Sequence, residues 1–245
     1  MEPGLIISKT LMDIEFPKGH IGVKSFDAEL VDQEGNSIPS YETYLHHWFA
    51  VKYHQNITMS HDPKLIRQED FIYLRNEGTC NDYILPHYWG FGVESRGTTS
   101  KIPDPFAIEV GNPTKIQNGF EEKWLLNIMV IDTRGAQDKK EYTIQPNGVG
   151  DTPLVQMADI PMEKGGYLIF GQDGRTLCTS TPKYGTGIEA GNEEGYLIGM
   201  SVCYPQPGSI QIKNGEILTV ESRYKNEFRT GAMGHFYMYI AENIP

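Results

Sequence analysis

Two adjacent histidines, His46 and His47 in the run Tyr-Leu-His-His-Trp, are the side chains of this chain best suited to chemistry. Neighbouring imidazoles in a strand-forming stretch are a copper-ligand pattern, and imidazole also takes and releases protons near neutral pH. A second group lies near the C-terminus. In Gly-Ala-Met-Gly-His-Phe-Tyr, alternation along a strand puts Met233, His235 and Tyr237 on one face, an imidazole and a phenol two residues apart. The segment CNDYILPHYWGFGVESRG adds His87, Tyr88, Trp89 and Phe91 in a glycine-hinged loop that could wall an apolar pocket. The alternative for that loop is structural, with Tyr88 and Trp89 as core aromatics and Glu94 and Arg96 as a buried ion pair.

Other catalytic templates are missing. The sequence contains no Gly-x-Ser-x-Gly elbow, no phosphate-cradling glycine loop after a strand and no His-Glu-x-x-His. The carboxylates Glu29, Asp104, Glu109, Asp132 and Glu189 are scattered, and most are expected to be solvated or turn-forming.

The elements that must position these residues are strands. Short runs rich in β-branched and aromatic residues, such as YETYLHHWFAVKY, KWLLNIMVIDTRG, GGYLIFGQDGR, EGYLIGMSVCYP and SIQIKNGEILTVESRY, alternate with turn signals such as QEGN, QDGR and KNGE. This pattern predicts an all-β fold of antiparallel sandwiches or jelly rolls. The polar stretch between Gly135 and Gly165 reads as a connection, so two β-sandwich (jelly-roll-like) domains are expected, 1–145 and a shorter 146–245.

Composition narrows the partners. With 245 residues, a net charge of −11 and no Lys/Arg cluster longer than two residues, the chain is a poor match for nucleic acid or an anionic membrane. No stretch approaches the length of an apolar span. The start, MEPGLIISKT, lacks the basic and long apolar regions of a signal peptide, so a cytoplasmic location is expected. Three cysteines, Cys80, Cys178 and Cys203, then read as buried free thiols, although Cys178 and Cys203 could pair in an oxidising compartment. The sequon Asn56-Ile57-Thr58 carries little weight without an export signal.

The long motifs FPKGHIGVKSFDAELVDQEGNSIPSYETYLHHW, GVESRGTTSKIPDPFAIEVGNP, EEKWLLNIMVIDTRG, LCTSTPKYGTGIEAGNEEGYLIGMSVCYPQPGSIQI and TGAMGHFY resemble the plant stress up-regulated Nod19 family. The resemblance runs from about Phe16 to Glu242, apart from the connector. That family is in turn similar to the copper type II monooxygenases, which implies two β-sandwiches facing across a cleft. The resemblance also implies what is lost. One copper would use His46, His47 and a third histidine where this chain has Met129; the other would use Met233 and a His-x-His pair that is missing. No cofactor is therefore expected, with Cu(I) on His46, His47 and Met129 as the alternative.

These readings converge on a cofactor-independent isomerase or cyclase of plant specialised metabolism, acting on a small apolar carbonyl or enol such as an iridoid-type monoterpenoid precursor. His46, His47, His235 and Tyr237 would do the chemistry, and Tyr44, Trp48, His87, Trp89, Phe91, Met129 and Met233 would line the substrate. A residual copper oxidase and a non-catalytic ligand-binding stress protein are the alternatives. The expected partner is a small molecule; the sequence leaves oligomeric state open.

Overall fold

The computed structural model describes residues 4–74, 88–135, 162–206, 208–224 and 238–240. Among these residues only strands, short 3-10 turns and loops occur, as an all-β chain requires. The strands are β1 (Ile6–Leu11), β2 (Ile21–Val23), β3 (Thr43–Asn56), β4 (Phe71–Tyr73), β5 (Tyr88–Trp89), β6 (Ile108–Val110), β7 (Phe120–Asp132), β8 (Met162–Phe170), β9 (Thr176–Ser180), β10 (Pro182–Tyr184), β11 (Leu197–Met200) and β12 (Thr219–Tyr224).

The long strands β3 and β7 are the spine. They pair antiparallel along their full length, with β1 on the far edge of β7 and both β4 and β5 on the other edge of β3. Each carries apolar residues on both faces, so both faces are covered. On one face Leu45, Trp48 and Ala50 of β3 and Trp124 of β7 join Trp89, Ile102, Ile108 and Val110 in the main core. Phe16 stacks on Trp124 with ring centroids 4.1 Å apart, and Trp89 lies 4.7 Å from Trp124. Burial of each such side chain contributes roughly 1.5–3 kcal/mol. On the opposite face Val51, Tyr53 and Leu125 form one cluster and Tyr44 and Ile131 another.

The C-terminal strands form a three-stranded sheet, β12-β8-β9, and a ribbon, β10-β11. The ribbon meets the first half of the chain: the Met200 N–H donates to Thr98 Oγ1 at 2.9 Å, and the Tyr204 hydroxyl donates to the Thr99 carbonyl at 3.2 Å. The expected division near residue 145 falls within 136–161, outside the described residues.

Three expectations need correction. Cys178 on β9 and Cys203 after β11 form a disulfide, where free thiols were expected; the antiparallel return of the chain brings their Cα atoms to 5.8 Å. Cys80 lies outside the described residues. Residues 209–212, expected as a strand, are loop, and the Arg175 guanidinium takes the Gln211 carbonyl at 2.9 Å in place of a ladder partner. Asp132, expected with the solvated carboxylates, is fully buried and accepts from Arg134 Nε at 3.0 Å and Nη2 at 2.6 Å. Those bonds hold its carboxyl down at about 2.

Candidate functional site

The histidine pair owes its geometry to a break in the β3–β7 ladder. Leu45 lies opposite Val130 and His47 opposite Met129, so His46 is an extra residue with no partner of its own on β7. This is a β-bulge, and it shifts the alternation of β3 by one. Adjacent residues of a regular strand point to opposite faces; here both imidazoles meet, with His46 Nδ1 and His47 Nδ1 3.1 Å apart.

Glycines hold the bulge. The segment Gly90-Phe91-Gly92 runs against the β3 backbone, with the Trp48 N–H donating to the Phe91 carbonyl at 2.8 Å. A Cβ on Gly90 would collide with the Trp48 carbonyl oxygen, and one on Gly92 would sit 2.6 Å from the His46 carbonyl oxygen. Only residues without a side chain allow this approach. The Glu94 carboxylate accepts from the Gly92 N–H at 3.1 Å. Arg96 pairs instead with Glu29 at 2.9 Å and with Glu193 at 2.8 Å, which replaces the Glu94–Arg96 pair expected from sequence.

The ring orientation of His47 is set from β7. His47 Nε2 lies 2.8 Å from Asn127 Oδ1, and Asn127 Nδ2 donates to Thr10 Oγ1 on β1 at 2.8 Å. With the amide oxygen turned to the ring, a neutral His47 imidazole places its proton on Nε2 and its acceptor on Nδ1. In that tautomer His46 donates from Nδ1 and Nε2 is its basic nitrogen. The His47 ring stacks on Phe49 with centroids 4.4 Å apart, and Phe49 meets the edge of Tyr88 at 4.8 Å. This gives a half-buried pair of imidazoles with an apolar flank.

The residues foreseen from sequence divide by face. His46, His47, Met129 and Tyr44 belong to one face of β3 and β7. Tyr44 is buried against Ile131, and burial, with Glu94 and Tyr196 nearby, pushes its phenol well above the ordinary value, so it stays protonated. Trp48 and Trp89 are 6% and 3% exposed in the core on the opposite face, and Phe91 stacks on Phe26 at 5.3 Å. The structure does not bring these three to the histidines; Trp89 follows the structural alternative weighed for its loop. His87, Met233, His235 and Tyr237 lie outside the described residues. Sequence reasoning missed Asn127, Thr10 and Phe49. Asn127 was legible, because it stands two residues before Met129 and so shares its face.

The donor set can be tested against copper. Two Nδ1 atoms 3.1 Å apart fit one ion about 2 Å from each at an angle of roughly 100°. The Asn127 hydrogen bond to the far ring nitrogen is the usual support of a ligating histidine. Met129 across the ladder suits Cu(I) and not Cu(II). Among the described residues no group of three or more His, Cys, Asp or Glu side chains forms a metal cluster, so a redox-cycling set of three imidazoles is not assembled from them.

Comparison with known proteins adds one match. The family model described as Stress up-regulated Nod 19 matches residues 1–145 and 150–243. No curated protein and no solved structure matches.

Proposed function

Because the chain belongs to the stress up-regulated Nod 19 family, we propose that its β-scaffold carries a metal-independent acid–base catalyst, an isomerase or cyclase of small, largely apolar carbonyl or enol compounds. The observation that supports this reading is the chain Thr10–Asn127–His47–His46, in which one imidazole would serve as acceptor and its neighbour as the proton-transfer group.

In this reading His46 Nε2 removes a proton from carbon or oxygen of the substrate, and the imidazolium so formed is stabilised by His47 Nδ1. The same proton is returned at another atom, so substrate and product are isomers and no oxidant is consumed. His47, Asn127 and Thr10 are positioning residues. Phe49 and Tyr88 offer an apolar wall that holds a reactive chain folded. His235 and Tyr237 are the candidates for the carbonyl oxygen, and an iridoid-type dialdehyde or enol is the substrate to try first.

The test is turnover of terpenoid enols and dialdehydes by protein stripped with chelator, with products separated and weighed by mass spectrometry. His46→Gln is expected to lower the rate about 10²–10⁴-fold. Activity that vanishes with the metal and returns with copper overturns the reading; so does tight binding without turnover, which would mark a ligand-binding protein.

A second reading is favoured by the 3.1 Å Nδ1 spacing opposite Met129, namely Cu(I) held by His46, His47 and Met129. Bound copper would supply one-electron transfer to dioxygen. Near-stoichiometric Cu(I) uptake that disappears in His46→Ala would favour it.

A further inference from the structure

We propose that Asn56 is an N-glycosylation site and that the chain matures in an oxidising, glycosylating compartment. Two independent observations carry this. The first is the triplet Asn56-Ile57-Thr58 at the end of β3. Asn56 Oδ1 accepts from the Thr58 N–H at 2.9 Å and from its hydroxyl at 2.8 Å. The sequon is thus closed into a turn by its own side chains, Thr58 is exposed, and Ile57 is 62% exposed. The reacting atom, Asn56 Nδ2, has a contact to Asp70 Oδ1 of 3.4 Å, long enough to be given up at small cost. The loop that follows also leaves Leu65 62% exposed, apolar surface that a glycan would shield.

The second observation is the Cys178–Cys203 disulfide. Such a bond persists in the secretory route and is rare where thiols are kept reduced. The cytoplasmic expectation rested on the first residues alone. An oxidising compartment accounts for the disulfide and exposes the sequon to the transferring enzyme.

The reaction needs a lipid-pyrophosphate-linked oligosaccharide as donor. Asn56 Nδ2 forms a bond to the anomeric carbon of the first N-acetylglucosamine. The carbon–oxygen bond to pyrophosphate breaks, the lipid pyrophosphate leaves with the electron pair, and one amide proton is released. The chain holds its own negative control. Asn112 Oδ1 accepts from the Thr114 N–H at 3.0 Å and its hydroxyl at 2.8 Å in the same manner, but Pro113 stands between them and bars the reaction.

The protein isolated from the tissue that produces it would be digested and treated with a peptide N-glycosidase in heavy-oxygen water. The expected result is an Asn56 peptide seen only after treatment and carrying the heavy-oxygen label, an unmodified Asn112 peptide, and a Cys178–Cys203 linked peptide in the unreduced digest. A fully unmodified Asn56 peptide overturns the proposal. In leaf cells making the chain through the secretory route, Asn56→Gln and Thr58→Ala are each expected to abolish the glycan mass, whereas Thr58→Ser keeps it. A glycan mass that survives Thr58→Ala also overturns the assignment.

Discussion

At the scale of single residues the site depends on which nitrogen of His47 holds the proton. Asn127 decides this, because its Nδ2 donates to Thr10 Oγ1 and its Oδ1 is turned to the ring. Replacement of Asn127 by Leu removes the acceptor and frees the ring to take the other tautomer. The rate is expected to fall about tenfold to a hundredfold, the cost typical of losing a ligand-orienting partner. Nitrogen NMR of the imidazoles distinguishes this from simple unfolding: His47 should be protonated at Nε2 in the parent and should lose that preference in the variant, with the fold intact. An unchanged tautomer in Asn127→Leu would refute the relay.

At the scale of elements the bulge in β3 is what makes two neighbours into a pair. Without the bulge, alternation back from Trp48 would send His46 to the core face beside Trp48 and Trp89, where an imidazole would be costly to bury, and would turn Leu45 out of that core. The bulge is paired with the glycine segment, since Gly90 and Gly92 permit the backbone contact that fastens it. Gly90→Ala forces a methyl into the Trp48 carbonyl, and a loss of about 2–4 kcal/mol is expected in denaturant titration. His46 and His47 should separate in the surviving fold, so activity should fall further than stability explains. The same substitution at Gly119, where a side chain would meet open space, serves as a comparison, although its positive φ adds some strain.

At the scale of the molecule the C-terminal strands are fastened by the Cys178–Cys203 bond across 25 residues. Loop closure of that length stabilises by roughly 3 kcal/mol. Cys178→Ser is expected to lower the melting temperature under non-reducing conditions and to have no effect once the parent is reduced; equal melting in both conditions would refute the bond. Much of this architecture was legible in the chain. β-branched and aromatic runs with turn residues between them specified strands, and β3, β7, β8, β11 and β12 fall where those runs lie, because local backbone preference and alternation act over a few residues. The His46-His47 pair and Met129 were likewise visible as residue types. What the chain could not disclose is anything set by register across strands: that His46 is bulged, that Trp48 and Trp89 turn away from the histidines, that Asn127 meets His47 and that Cys178 meets Cys203. Each joins residues 25 to 80 positions apart or depends on a one-residue slip, and a slip of one reverses every side chain beyond it. Sequence alone determined the strands and the chemistry available to them; the tertiary structure decided which faces that chemistry shares, because strand register is fixed by how a buried face packs against partners distant in the chain.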